Sequence, residues 1–234
     1  GYSQYAKVDS KFLVKKPKEL TLKEAMIMGT AGFTALQSAF VTKLTREELL
    51  LGEKVNDVVV SGASGGVGSI AIMILNKLGC NVTAVTGKSN NIEYLKSLGA
   101  KNVINTNDLT KDARPLDKGF WDGAVDTVGG KVLENILSQT KDSGIVASCG
   151  NAADIKLNTT VMPFIIRGVK LWGINSVTVS NVRRKFLWNE VSKLVDFGLL
   201  SKSIKEISLE EVQDVYPKML KGETSGRYII NLSK

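Results

Sequence analysis

The chain contains no histidine and only two cysteines among its 234 residues. Missing histidine excludes Ser-His-Asp triads, Cys-His dyads and histidine-containing zinc sites, and it disfavours metal-dependent hydrolysis. Two cysteines make no disulfide framework. Cys80 closes an apolar helical stretch and Cys149 ends an apolar strand, which reads as two buried free thiols in a reducing compartment, the cytoplasm. The net charge is +8, yet no long basic block and no basic run interleaved with aromatics occurs. That pattern describes a solvated basic surface rather than a nucleic-acid groove, and its field favours an anionic cofactor or substrate. The longest apolar region, 58–78, is broken by glycines and serines and does not read as a membrane span. There is no signal-peptide pattern, internal repeat or low-complexity tract.

What is present is ordinary for a globular protein: 43% apolar and 23% charged residues, in a chain long enough for a substantial core. Residues 1–8 alternate like a strand from the first position, with no initiator methionine, as in a fragment or trimmed chain. Residues 12–14 continue, and a proline-punctuated loop covers 15–20. Thr21 with Glu24 three positions on forms a capping box that opens a helix. It runs into the small residues of Gly29-Thr30-Ala31-Gly32-Phe33-Thr34-Ala35-Leu36. The hydroxyls of Thr30 and Thr34 read from spacing as packing or backbone-bonding groups.

The stretch Val58-Val59-Val60-Ser61-Gly62-Ala63-Ser64-Gly65-Gly66-Val67-Gly68 carries the clearest chemistry. Three β-branched residues enter a glycine cluster and an apolar run from Ile70 leaves it, the order strand, tight turn, helix. Ala63, Gly65 and Gly68 match G-x-G-x-x-G with alanine in first place. A turn of this kind aims backbone N–H groups and a helix dipole at one point, which suits a dinucleotide pyrophosphate.

From there strands and helices alternate. Strands are predicted at 58–61, 81–86, 103–105, 120–127, 144–148 and 169–174. Helices are predicted from Ile70, at 92–98 with an Asn90–Glu93 capping box, at 132–139 and near 162–167. Gly79 and Gly99 stop the first two of these helices. Six strands in this rhythm predict an α/β fold, a doubly wound parallel sheet of Rossmann type. After Ser176 the rhythm changes to helices at 182–197 and 210–220, the latter capped by Ser208 and Glu211, and a closing strand at 226–232. This tail is expected to pack with 1–24 in a second, incomplete domain.

Rossmann sites that select NAD place an acid at the end of the second strand, against the ribose 2′-hydroxyl. Here that position is Thr86-Gly87-Lys88-Ser89. A lysine with two hydroxyls suits a 2′-phosphate, so the residues predict NADP(H). Glu93, the nearest acid, is accounted for as a cap.

Several stretches together resemble the medium-chain dehydrogenase/reductase superfamily: 29–35, 61–68, Tyr94-Leu95-Lys96-Ser97-Leu98-Gly99-Ala100, Asp122-Gly123-Ala124-Val125-Asp126-Thr127-Val128-Gly129-Gly130, and Gly226-Arg227. The segments 159–169 and 171–177 are similar to its zinc-independent quinone oxidoreductase/acrylyl-CoA reductase branch, the YhdH/YhfP type. The resemblance covers essentially the whole chain. It implies the end of a GroES-like substrate domain at 1–24, an NADP-binding Rossmann domain at 25–176 and a return to the substrate domain at 177–234, with most of the GroES-like domain lacking.

The resemblance also implies the cofactor contacts. Ser64, Gly65, Gly66 and Val67 would face the pyrophosphate, with Arg227 as its counter-charge. Thr86, Lys88 and Ser89 would hold the 2′-phosphate. Thr127, Cys149, Gly150 and Asn151 would line the strand ends, and Thr34, Asn175 and Ser176 would lie near the nicotinamide. The implied reaction is metal-free hydride transfer to an enoyl-CoA thioester or a quinone, in a homodimer paired through the sixth strand. These residues name no proton donor. The competing expectation is a dinucleotide-binding redox sensor, or an inactive fragment.

Overall fold

The computed structural model describes residues 2–233. Residues 2–9 form no ladder and are exposed, so the predicted opening strand is absent; Gly1 lies outside the described residues. Alternation states which side chains share a face, but a strand also needs an edge to pair with. The first helix, α1 (Leu22–Phe40), opens on the predicted capping box: the Glu24 N–H donates to Thr21 Oγ1 at 3.1 Å and the Thr21 N–H to Glu24 Oε2 at 2.7 Å.

Gly29 breaks this helix in the left-handed region (φ 46°, ψ −150°). Beyond the break the chain is helical through a π-helical turn, Val41–Thr45, into α2 (Arg46–Leu49). The run Leu22–Leu49 is long and apolar enough to cross a membrane, but 72% of its apolar window is buried against the rest of the protein. It is the core helix of this fold.

Strand β1 (Asp57–Val60) leads through the glycine turn to α3 (Gly66–Lys77). Helix α3 is stopped as predicted. Gly79 takes φ 86°, its N–H reaches Asn76 O at 2.9 Å, and the Cys80 N–H reaches Leu75 O at 3.0 Å, the two bonds of a Schellman turn. Then follow β2 (Asn81–Thr86), α4 (Ile92–Ser97), β3 (Ala100–Asn105), β4 (Trp121–Asp126), α5 (Gly130–Ser138), β5 (Thr140–Ser148), α6 (Met162–Ile166) and β6 (Lys170–Gly173).

The expected Asn90–Glu93 cap is not formed. The helix starts at Ile92 as predicted, but a 3-10 turn over Ser89–Asn91 makes Asn91 its N-cap, without a side-chain bond, and Glu93 instead faces Lys96 at 3.6 Å.

All neighbours in the six-stranded sheet are parallel, in the order β3-β2-β1-β4-β5-β6. This is the doubly wound Rossmann order, with its switch point between β1 and β4. Side chains alternate between two apolar layers. Val58, Val60, Val82 and Ala84 face the layer that contains Leu36, Ile70 and Ile74. Val59, Val85, Ala124 and Val146 face the layer of Val132, Leu133, Ile136 and Leu137 from α5.

The tail forms α7 (Asn181–Leu194), α8 (Phe197–Ser201), β7 (Ile204–Ile207), α9 (Val212–Leu220) and β8 (Arg227–Ile230), with β7 and β8 paired in parallel. Leu187, Val191, Val195, Leu200 and Ile229 lie in the same core as Val58 and Ile70. Polar links from the tail to the first residues include Asn181 Nδ2 donating to Lys11 O at 2.6 Å and the exposed Lys23–Glu206 ion pair at 2.6 Å. Apolar burial thus docks the tail on the sheet. The exposed pair adds little to that.

Candidate functional site

At the switch point β1 is followed by Ser61 and β4 ends in Asp126, and a hydrogen-bond network ties the two together. Ser61 Oγ donates to Asp126 Oδ1 at 2.6 Å and accepts the Thr127 N–H at 3.0 Å. Thr127 Oγ1 donates to Ser61 O at 3.1 Å. The N–H groups of Val128 and Gly129 reach the Asp126 carboxyl at 3.3 and 3.0 Å. Asp126 is wholly buried. Burial pushes its carboxyl above the usual range, against the lowering by Ser61, Gly129 and Val128.

The turn above this network needs its glycines for space as well as conformation. Gly62 has φ 56°, and a β-carbon there would lie 2.1 Å from Thr127 Oγ1. On Gly68 a β-carbon would lie 2.5 Å from Gly62 O and 2.8 Å from Ala63 Cα, so α3 is seated directly on its own turn. Gly65 is the N-cap of α3, and its N–H is committed to Gly62 O at 2.9 Å. Among the described residues no acceptor takes the N–H groups of Gly66 and Val67, which open the helix. Ser64, buried, shares a 2.7 Å hydrogen bond between its hydroxyl and that of Thr86, and its carbonyl accepts the Gly226 N–H at 3.2 Å.

That last bond brings the chain's far end to the turn. Arg227, at the start of β8, lies beside the first residue of α3: a β-carbon on Gly66 would sit 2.8 Å from Arg227 Nη1 and 3.5 Å from Ala31 Cβ. On its other flank is the break in α1, where a β-carbon on Gly29 would sit 3.2 Å from Arg227 Nη2. Arg227 Nε is buried without a hydrogen-bond partner, and burial holds the guanidinium below the usual arginine range. A cation at a helix N-terminus is opposed by the helix dipole. A half-buried guanidinium with an unpartnered Nε beside the open N–H groups of a glycine turn therefore forms a cradle suited to an anion. The donor set fits a pyrophosphate.

The second-strand end lies on the same rim. Thr86, buried, accepts the Lys88 N–H at 3.1 Å on Oγ1. Lys88 Nζ bonds the Thr224 carbonyl, in the turn before Arg227. Ser89 is exposed at the start of the 3-10 turn. Among the described residues no carboxylate is bonded to any of these groups, which lie next to the tail.

Cys149, Gly150 and Asn151 follow β5. The Cys149 N–H and Sγ reach Asp126 O at 2.9 and 3.3 Å, and a β-carbon on Gly150 would meet Thr127 O at 2.3 Å. Thr34, on the second half of α1, donates its hydroxyl to Thr30 O at 2.8 Å, the backbone bond expected from spacing. Asn175 spends its side-chain carbonyl on the N–H groups of Val177 and Thr178 at 2.7 and 3.1 Å, and its backbone carbonyl accepts from Gln37 Nε2 at 3.4 Å. The carbonyl of Ser176 is held by Arg184. Sequence reasoning passed over four contributors: the Gly29 break, the Ser61–Asp126 bond, Thr224 and Arg184. Only the glycine ahead of a run of small residues hinted at any of them.

Both cysteines are free, with Cys80 buried and Cys149 half-buried. Burial pushes each thiol up to about 11. Alkylation of the native protein should accordingly rise about tenfold per pH unit from pH 7 to 10, without the plateau that an ordinary thiol reaches near ~8.5. Iodoacetamide kinetics followed by peptide mass at each cysteine measure this. A native-state inflection near pH 8 would contradict the burial.

The comparisons with known proteins agree with the geometry. Residues 66–197 match the family described as zinc-binding dehydrogenase. The chain is 38% identical over 234 residues to the acrylyl-CoA reductase AcuI of Ruegeria pomeroyi, an alignment covering 100% of this chain and 70% of that protein. It is 43% identical over 234 residues to YhfP of Bacillus subtilis, whose name describes a quinone oxidoreductase, covering 99% of this chain and 70% of the relative. The solved structure of YhfP has NAD bound and superposes at a TM-score of 0.87, over 97% of this chain and 68% of that one. The yhdH oxidoreductase of Salmonella enterica, solved in complex with NADP, is 39% identical and superposes at a TM-score of 0.90, again over 97% and 68%. The chain belongs to the medium-chain dehydrogenase/reductase superfamily, in the zinc-binding dehydrogenase family and its YhdH/YhfP branch.

Proposed function

We propose that this protein is an NADPH-dependent reductase that acts on an activated C=C bond, as in an acrylyl-CoA-like enoyl thioester, or on a quinone, without zinc. The observation that carries the proposal is Arg227: a guanidinium with a buried, unpartnered Nε, set over the first turn of α3. What the dinucleotide supplies when bound is a hydride for the electrophilic carbon of the substrate. The chain's own residues bind and orient. Arg227 with the N–H groups of Gly66 and Val67 neutralises the pyrophosphate, and Ser64 holds the turn to Thr86. Lys88, Thr86 and Ser89 take the 2′-phosphate, with Lys88 steadied by the Thr224 carbonyl. Thr34, Thr127, Cys149, Gly150, Asn151, Asn175 and Ser176 wall the nicotinamide end.

Absence of zinc is supported by the ligand inventory: the chain has no histidine, and the described residues contain no group of three or more histidine, cysteine or acidic side chains placed to hold a metal. A homodimer through β6 is supported by its place at the edge of the sheet and by Leu171 and Trp172, 38% and 42% exposed there. The reading includes a cytoplasmic location and neither a membrane nor a nucleic-acid partner.

The decisive experiment has two arms. In titrations, NADPH should bind about tenfold or more tightly than NADH, and Lys88→Glu should reverse the order, since a carboxylate repels a 2′-phosphate and accepts from a ribose hydroxyl. NADH binding as tightly as NADPH overturns the cofactor choice. In assays, NADPH oxidation is followed with acryloyl-CoA and with a small quinone, for this chain and for a form as long as its relatives. Turnover by neither, with NADPH bound, would replace the reductase by a dinucleotide sensor.

A further inference from the structure

The loop from Ile174 to Ser180, between β6 and α7, carries the two residues placed at the nicotinamide end, and a single side chain organises it. Arg184, on the first turns of α7, donates from Nη2 to Ser176 O and to Val177 O, both at 2.9 Å, and from Nε to Val179 O at 3.1 Å. Its guanidinium lies 5.2 Å from the centre of the Phe33 ring, on the second half of α1. Phe33 is buried and adjoins Thr34. One planar, permanently charged group therefore fixes three carbonyls of the loop and docks them on the helix that supplies the opposite wall.

The loop's other restraints are weaker. The Asn175 side chain is folded onto the N–H groups of Val177 and Thr178, which shapes the loop internally but fastens it to nothing else. Gln37 reaches Asn175 O at a long 3.4 Å, and the Ile174 N–H to Ser148 O at 2.9 Å ties only the loop's first residue to β5. Val179 also packs against the apolar core; the polar anchoring of Ser176 through Val179 to the rest of the protein runs through Arg184.

We infer that Arg184 is a positioning residue for the cofactor's nicotinamide half: by holding the carbonyls of Ser176, Val177 and Val179 against Phe33 it sets Asn175 and Ser176 where the nicotinamide ribose and ring lie. Its contacts, with Ser176, Val177, Val179 and Phe33, include no residue of the phosphate cradle, which is built from α3, β2, β8 and the Gly29 break in α1. The inference rests on the proposed placement of Asn175 and Ser176. It separates the site into an adenine half fixed by Arg227 and Lys88 and a nicotinamide half fixed by Arg184.

This separation gives a test that a general loss of stability cannot imitate. Binding of NADPH and of 2′,5′-ADP, which lacks the nicotinamide half, is measured by titration for the wild type, Arg184→Ala and Arg184→Lys. Arg184→Ala should weaken NADPH by roughly tenfold, the scale of losing charge-assisted hydrogen bonds, and reduce energy transfer from tryptophan to the reduced nicotinamide. Affinity for 2′,5′-ADP should stay within about twofold. Arg184→Lys should not rescue, because an ammonium cannot serve three carbonyls in one plane or stack on Phe33 as a guanidinium does. Equal losses for both ligands, no loss for either, or full rescue by lysine would each overturn the inference. Failure of the wild type to bind either ligand would overturn the cofactor reading itself.

Discussion

Replacing Arg227 by methionine should change two measurements in opposite directions. The protein without cofactor should become more stable, because a half-buried guanidinium with an unpartnered Nε is removed and an apolar side chain of similar length remains. An unsatisfied buried donor costs about 1–3 kcal/mol, and in a chain of this size each kcal/mol moves the melting midpoint by about 2–4 °C. Affinity for NADPH should fall by about 10- to 100-fold, the value of a charge-assisted hydrogen bond to a phosphate at about 1.5–3 kcal/mol. The extra stability that saturating NADPH confers shrinks accordingly. Thermal melts with and without NADPH measure both effects at once. An Arg227 that merely decorates the surface would leave both curves in place. Arg227→Lys should lie between, keeping the charge but losing the fork that spans two oxygens.

Gly68→Ala should strongly damage the phosphate turn. Its β-carbon meets backbone on the other side, Gly62 O at 2.5 Å and Ala63 Cα at 2.8 Å, and neither can rotate away. The turn must lift from α3, at a cost of about 1–3 kcal/mol or somewhat more, so the melting midpoint should drop by several degrees and cofactor binding should fall with it. Gly66→Ala makes the control. Its β-carbon would meet the end of the flexible Arg227 side chain at 2.8 Å. Its melting midpoint should therefore hold within a degree or two while NADPH binding weakens. Equal destabilisation by both substitutions would mean that the turn is not seated as described.

Much of this could be read from local chemistry. The Thr21–Glu24 box, the Gly79 stop and the strand Asn81–Thr86 each depend on residues a few positions apart, and each formed where spacing placed it. The Asn90–Glu93 cap has the same spacing but failed, because Asn90 lies inside a 3-10 turn over Ser89–Asn91 and Asn91 takes the N-cap position of a helix that starts at Ile92 as predicted. Alternation in residues 1–8 identified a face without a partner. The candidate site was legible from local chemistry where it is contiguous, from Ser61 to Gly68 and from Thr86 to Ser89; Arg227 came only from the family resemblance, and the contacts that bridge distant segments were hidden. Nothing in the neighbourhood of Ser61 announces Asp126, and nothing near Gly29 announces that its break makes room for Arg227. A glycine inside a helix reads locally as a small propensity cost. Its purpose is apparent only when the distant guanidinium beside it is in view.

The position of Arg227 has a consequence for the order in which this molecule comes into being. All strands of the six-stranded sheet precede Ser176 in the chain, so during synthesis the scaffold can pair before the tail is made. Arg227, the proposed counter-charge of the glycine turn, arrives with β8, after three more helices, and must close a long loop to reach Gly66. With Arg227 as the proposed pyrophosphate counter-charge, competence to hold the dinucleotide is a late property of the chain, reached when β8 docks beside α3.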